Sequence, residues 1–339
     1  MKAVVIERPH EVVYGEVETP TCGPGDVLVR SRFAGLCRTD VEVLEGRLDP
    51  YWVRYPCIPG HEWSGVVEAV GEGVTGLEPG DPVVCEGFCY CGACRRCRAG
   101  DTHLCETYDQ LGFTRGGGYG ELVLAPQRVA HRLPDGVELD TAVLIEPASV
   151  VFRGLSRAQP KAGETIGVIG VGTLGALTLV LARLYAPAAV VAYGIREAEL
   201  ELARRLGADE TVDLSTGQAA HEGELDLVVE TAGAVEAVEL ATRLPRMGGR
   251  VLALGIAGAD RELTLPADRF VLRDVSLIGS VAYTTAVWSR VVELLRAGLV
   301  DLAPVLARRI PVERFEDAFA LMGERDGVVG RILLEHGAA

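Results

Sequence analysis

Four cysteines, Cys91, Cys94, Cys97 and Cys105, fall in one loop with the pattern Cys-x-x-Cys-x-x-Cys-x7-Cys, punctuated by Gly92 and Gly100. Thiolates this close in sequence can enclose a tetrahedral Zn²⁺ with no coordination position left over, which makes such a site structural. A pair of disulfides is the competing reading, and a reducing compartment disfavours it. A second set is dispersed: Cys37-Arg38-Thr39-Asp40, Gly60-His61-Glu62 and Glu146-Pro147. A thiolate, an imidazole and a carboxylate from three separate segments would hold zinc and leave a position open, as catalysis requires. Spacing alone does not decide this, because a lone buried cysteine or a surface histidine is the commoner state.

A third constellation is Gly170-Val171-Gly172-Thr173-Leu174-Gly175, which follows the apolar run 166–169 and opens the helical stretch 174–185. In that context Gly170 makes the tight turn, Gly172 lets the backbone approach a pyrophosphate, and Gly175 lets helix pack on strand. The helix N-terminus at Thr173 and Leu174 then faces the phosphates. The next strand, Val190-Val191-Ala192-Tyr193, runs into Gly194-Ile195-Arg196 with no acid at the turn to accept from a ribose 2′-hydroxyl. Arg196 can instead pair with a 2′-phosphate, so NADP is favoured over NAD. The alternative is that Glu197 does the work of the acid.

These groups need elements to position them. A chain of 339 residues is longer than one core usually supports, so two domains are expected. With 48% hydrophobic and 24% charged residues the chain should fold, and a net charge of -15 excludes a partner bound through its phosphate backbone, such as nucleic acid. All nine cysteines lie at or before Cys105, and no secretory signal opens the chain, so a cytoplasmic setting and metal chemistry are expected. Cys22, Cys57, Cys85 and Cys89 are read as non-ligands. The first third reads as short strands broken by Gly and Pro: 27–30, 65–70 and 82–84. From about Pro160 strands alternate with helices (190–192, 197–206, 227–229, 251–254), which means βαβ units and a parallel sheet. The apolar stretch 174–192 is interrupted by Arg183 and Pro187, against a membrane span. A helix at 286–297 and a strand at 331–334 could return to the first domain.

Together the motifs Gly60-His61-Glu62-x-x-Gly65 with Val66-Val67, the four-cysteine loop, and Gly170-x-Gly172-x-x-Gly175 resemble, in order and over essentially the full chain, the zinc-dependent medium-chain dehydrogenases. That superfamily includes alcohol, sorbitol, threonine and glucose dehydrogenases. The resemblance implies an α/β protein: a GroES-like irregular β domain over 1–152 and 286–339 with two zinc sites, and a Rossmann doubly wound parallel-sheet domain over 153–285. It implies two Zn²⁺ per chain, with Cys37 and His61 as catalytic ligands. Where the alcohol branch usually has a third cysteine, this chain has Glu146, like the polyol and glucose branches. Glu62 becomes an alternate or water-linked neighbour, and Asp40 the acid that orients His61. Arg331, in Gly330-Arg331-Ile332, would contact cofactor phosphates.

Segments 55–65, 104–106 and 111–115 also look like dehydrogenases of aminocyclitol biosynthesis, of the 2-deoxy-scyllo-inosamine type. The implied activity is oxidation of a secondary alcohol of a polyol or (amino)cyclitol to a ketone, or the reverse, by hydride transfer from a zinc-held alkoxide to NAD(P). Thr39 would pass the proton outward. Glu42 stands where many members carry the histidine that ends the relay, a departure from the pattern. Glu86-Gly87 would offer the substrate an acceptor and a vacant volume. An aldose 1-dehydrogenase of the glucose type is the rival enzyme. A catalytically silent NADP-binding structural protein is the rival of another class, opposed by the retention of Cys37, Thr39, His61 and Glu146. Because such relatives form dimers or tetramers, a homodimer or homotetramer is implied here, with a small-molecule alcohol or ketone substrate and no membrane partner.

Overall fold

The computed structural model describes residues 1–217, 219–258, 260–323 and 328–337. The chain divides into two units, one of residues 1–146, 283–298 and 306–339, the other of residues 147–282 and 299–305. The first boundary falls inside the helix Ile145–Ala158, between Glu146 and Pro147. Pro147 is accommodated because it sits in the first turn, where backbone N–H groups have no intrahelical partner. The segment 299–305 belongs to the second unit, although sequence pattern alone places it with the first.

The first unit is built on the long strand Asp26–Gly35. It pairs antiparallel with Trp63–Val70 and with Arg331–Glu335, and also with Leu122–Pro126. Trp63–Val70 pairs in turn with Pro82–Cys85 and that strand with Ala130–Arg132, while Leu306–Pro311 lies parallel to Arg331–Glu335. The C-terminal strand therefore does return to this unit. Register shifts at Leu28/Val29 and Ser31/Phe33 bend the central strand, the irregularity expected of such a sheet. Val29, Trp63, Val83, Leu111, Tyr119 and Leu334 fill its core. Gly65 is required by packing: a Cβ there would lie 2.2 Å from the Arg30 carbonyl oxygen of the paired strand.

The second unit carries one sheet of six described strands, all parallel, in the spatial order Glu210–Asp213, Ala189–Gly194, Thr165–Ile169, Leu225–Glu230, Pro245–Ala253, Ser276–Gly279. The chain starts at Thr165–Ile169, builds outward on one side, then crosses to the other. This is the doubly wound Rossmann order, and the crossing leaves a crevice at the C-terminal end of the first strand. The helix after that strand runs Thr173–Ala182 and tightens to a 3-10 turn at Arg183–Tyr185, where Ala186 at φ 50 stops it ahead of Pro187. Among the described residues no helix is long and apolar enough to cross a membrane.

Candidate active site and cofactor cradle

Cys37 closes the turn after the central strand of the first unit and is the N-cap of the helix Arg38–Leu44. Asp40, on the first turn of that helix, is fully buried and its Oδ2 accepts from the Cys37 N–H at 2.8 Å and from the Tyr119 hydroxyl at 3.1 Å. The other oxygen, Oδ1, faces His61 Nδ1 at 3.6 Å, the geometry of an acid that orients an imidazole. His61 follows Gly60, which turns at φ 93, and a Cβ on Gly60 would lie 2.5 Å from the Tyr119 ring. The glycine thus lets the chain bend closely enough to bring His61 and Glu62 beside Cys37. Ligand atoms of Cys37, His61 and Glu62 all lie within 4.8 Å of one another.

Glu146 is outside that tight group, yet it is buried, feels the charge of Glu62 and His61, and is hydrogen-bonded to Tyr283. The Tyr283 hydroxyl in turn accepts from the Gly87 N–H at 2.9 Å. Burial, then the neighbouring Glu62, pushes the Glu146 carboxyl up to about 8. Burial also raises Glu62, against the pull of Arg331. For His61 burial opposes the imidazolium, but Asp40 and Cys37 outweigh it and the pKa is raised. Asp40 Oδ1, His61 Nδ1 and Glu62 Oε2 are buried without a hydrogen-bond partner in the protein. Asp40 Oδ1 and His61 Nδ1 face each other, but the orphaned Glu62 Oε2, together with the Cys37 sulfur and the His61 imidazole, fits a divalent cation such as zinc.

Thr39 Oγ1 stands 3.7 Å from Cys37 Sγ. Glu42 lies one helical turn beyond Thr39, with its carboxylate 4.0 Å from Arg47. Arg331, expected from the sequence to contact cofactor phosphates, lies beside the ligand cluster. Its side chain is 6% exposed, pairs with Glu62 Oε1 at 2.9 Å and donates to the Leu36 carbonyl. Its place on the strand beside Asp26–Gly35 directs it into the metal-ligand cluster, where it is the counter-charge to Glu62. The expectation that Glu86-Gly87 presents an acceptor and empty space to substrate needs correction. Glu86 is buried and tied to His131 Nε2 at 2.8 Å and the Thr285 hydroxyl at 3.0 Å. The space beside Gly87 is met by Tyr283 Oη and Gln110 Nε2, each 3.4 Å from where a Cβ would stand.

In the cysteine loop all four thiols converge. Cys91 and Cys97 Sγ lie 3.9 Å apart, close to the roughly 3.8 Å edge of a tetrahedron of sulfurs about 2.3 Å from zinc, and far beyond a disulfide bond of about 2.05 Å. Backbone N–H groups of Ala93 and Cys94 donate to Cys91 Sγ at 3.4 and 3.3 Å, and that of Cys97 to Cys94 Sγ at 3.4 Å. Backbone donors from Glu106 and Cys97 bring the Cys94 thiol down to about 6, and burial raises Cys97 to about 12. All nine cysteines are free thiols. Cys57, Cys85 and Cys89 are buried and belong to neither cluster, their pKa values raised by burial.

The second unit forms a cavity of about 630 Å³ at the switch point of its sheet, lined by Gly170, Gly172, Tyr193, Gly194, Glu199 and Thr231 among others. Each glycine has a distinct geometry. Gly170 turns at φ 84, Gly172 has nothing within 4 Å of where a Cβ would stand, and a Cβ on Gly175 would lie 1.9 Å from the Gly170 carbonyl oxygen. Thr231 donates to that same oxygen at 2.6 Å and fixes the turn. Thr173 and Leu174 begin the helix that follows. Arg196 is the N-cap of the next helix, Glu197–Arg205, and pairs with Glu199 Oε1 at 2.7 Å. Glu197, the alternative acid, pairs with Arg204 at 2.7 Å and is 64% exposed. Glu199 escapes a reading of the sequence because it sits inside a helix, past the turn where a ribose-binding acid is sought.

Residues 23–135 match the alcohol dehydrogenase GroES-like domain, and residues 171–297 match the zinc-binding dehydrogenase domain. The L-threonine 3-dehydrogenase of Rhizobium johnstonii is 32% identical over 99% of this chain and 98% of its own length. The chain belongs to the zinc-dependent medium-chain alcohol dehydrogenases. It is therefore an oxidoreductase with a GroES-like and a Rossmann domain, and solved relatives show both cofactor forms. A zinc-binding dehydrogenase from Sinorhizobium meliloti bound to NADP superposes with a TM-score of 0.91 at 29% identity, covering 98% of each chain. An alcohol dehydrogenase from Escherichia coli complexed with NADH does so with a TM-score of 0.88 at 26% identity, covering 99% of each.

Proposed function

We propose that this medium-chain dehydrogenase oxidises a secondary alcohol on a polyol or (amino)cyclitol to the ketone, or runs the reverse reduction, using NADP in preference to NAD. The observation that carries the reading is the convergence of Cys37, His61 and Glu62 within 4.8 Å, with Glu146 anchored beside them by Tyr283. Cys37, His61 and Glu146 serve as ligands, and Glu62, held by Arg331, is the alternate carboxylate. Zinc bound there supplies a Lewis acid that makes the substrate hydroxyl acidic near neutral pH. Asp40 holds the His61 ring in its ligating orientation. The Thr39 hydroxyl, 3.7 Å from Cys37 Sγ, takes the alcohol proton and passes it outward, with Glu42 one turn further along the same helix. A nicotinamide cofactor held at the turn of Gly170, Gly172 and Gly175 would supply the hydride acceptor for the carbinol carbon. The four-cysteine loop holds a second, structural zinc.

A polar substrate is supported by the polar groups near the candidate ligands: the Gln110 amide and Tyr283 hydroxyl beside Gly87, with Tyr283 hydrogen-bonded to Glu146. The threonine dehydrogenase relative, by its name, also acts on a molecule bearing a secondary alcohol among polar groups. NADP is supported by Gly194 at the strand end and by Arg196 after it. A homo-oligomer is supported by the edge strand Ser276–Gly279 and the helix before it, which leave Leu277, Val271 and Leu272 exposed at 46%, 79% and 72%. The test is a panel of polyols, cyclitols, aldoses and simple alcohols with each cofactor, followed by cofactor absorbance and product analysis. Turnover of polyols or cyclitols to ketones is expected. Lactone formation would assign the aldose reaction instead, and turnover confined to simple alcohols would overturn the substrate class.

A further inference from the structure

The inference concerns cofactor choice and rests on the dehydrogenase reading proposed above. A ribose-binding site of this fold ordinarily offers an acid at the end of its second strand, and this chain has Gly194 there. A Cβ on Gly194 would lie 3.2 Å from Glu199 Oε2. The Glu199 carboxylate thus stands in the space into which a side chain at position 194 would project. It is held there on two sides: Oε2 accepts from the Ile195 N–H at 3.2 Å, and Oε1 accepts from Arg196 Nε and Nη2 at 2.9 and 2.7 Å. Glu199 is 8% exposed, and what it does expose lines the cavity of about 630 Å³ together with Gly170, Gly172 and Gly194. This buried carboxylate, carried by the helix, thus lies beside the glycine turn where the strand-end acid is missing.

We propose that Glu199 is the ribose-recognising carboxylate of this protein and that, with Arg196, it sets the balance between NAD and NADP. With NAD, Glu199 accepts from the ribose hydroxyls while Arg196 remains its counter-ion. With NADP, the 2′-phosphate is repelled by Glu199 and attracted by Arg196, so the guanidinium exchanges one anionic partner for another. Glu199 therefore keeps NAD usable and restrains the NADP preference that Gly194 and Arg196 confer.

The test is equilibrium binding of NAD and NADP to the zinc-loaded full chain and to its Glu199→Gln, Glu199→Ala and Arg196→Ala variants. Either Glu199 variant should shift the ratio of affinities toward NADP by about tenfold or more, because a charge-assisted acceptor for NAD is lost and a repulsion against NADP is relieved. Arg196→Ala should weaken NADP by about tenfold and leave NAD within about threefold. Equal changes for both cofactors in the Glu199 variants, or a shift toward NAD, would overturn the assignment while leaving the dehydrogenase reading intact. Failure of the unaltered chain to bind either dinucleotide would take both readings down together.

Discussion

Replacing Arg331 by Met keeps a long apolar stem in the same packing but removes the guanidinium that pairs with Glu62. Glu62 is 1% exposed, its Oε2 already lacks a partner, and Asp40 adds negative charge nearby. Breaking a buried pair from one side leaves an uncompensated charge, which costs about 3–5 kcal/mol. For a unit of this size about 2–4 °C of melting temperature follow each kcal/mol, so the metal-free variant should melt roughly 6–20 °C below the metal-free native chain. A divalent cation at Cys37, His61 and the carboxylates would take over the counter-charge. The same variant compared with the native chain in saturating zinc should therefore show a clearly smaller fall. Calorimetry of both proteins with chelator and with zinc measures the two differences. A metal-free fall under about 3 °C, or the same fall in both conditions, would refute the argument that Arg331 balances the ligand carboxylates.

Gly175→Ala places a methyl 1.9 Å from the Gly170 carbonyl oxygen, so the glycine turn must open. NADP binding should weaken by more than about tenfold while zinc content is unchanged, as titration calorimetry with metal analysis would show. Cys94→Ser should release one zinc per chain and lower the melting temperature while the Cys37 site keeps its metal, since only one of the four thiolates of the structural loop is altered. His336 is buried, its Nε2 lies 2.8 Å from the Gly118 carbonyl oxygen, and burial lowers its pKa from the ordinary 6.5. The folded state then binds fewer protons than the unfolded one, so this contribution is complete above pH 6.5 and is lost as pH falls from there toward the folded pKa. His336→Gln should flatten the dependence of melting temperature on pH across that window, and an unchanged slope would dismiss the role.

Glycine spacing and hydrophobic periodicity made both domains legible: the strand at Thr165–Ile169, the turn and the helix from Thr173 are where the pattern places them. The cysteine loop was legible because its ligands are local. The dispersed cluster was legible by residue type, through Cys37, His61 and Glu62, but its supports were not. Tyr119, Tyr283 and Arg331 reach it from distant segments of the chain, brought in by the fold of the first unit, and no local pattern announces that. Glu86 illustrates the converse: its charge suggested a substrate contact, and His131 and Thr285 from remote segments consume it. Glu199 shows how an acid can be supplied from a helix when the strand end is glycine, a choice visible only once side-chain direction is known.

The proposed chemistry depends most directly on a metal held by Cys37. Metal analysis of the purified chain should give about two zinc atoms per chain, one from each four- or three-ligand cluster. Cys37→Ala should retain about one, held by Cys91, Cys94, Cys97 and Cys105, and should lose alcohol oxidation while still binding the dinucleotide. A Cys37→Ala protein that keeps both zinc atoms, or that oxidises alcohol at the native rate with one, would contradict it.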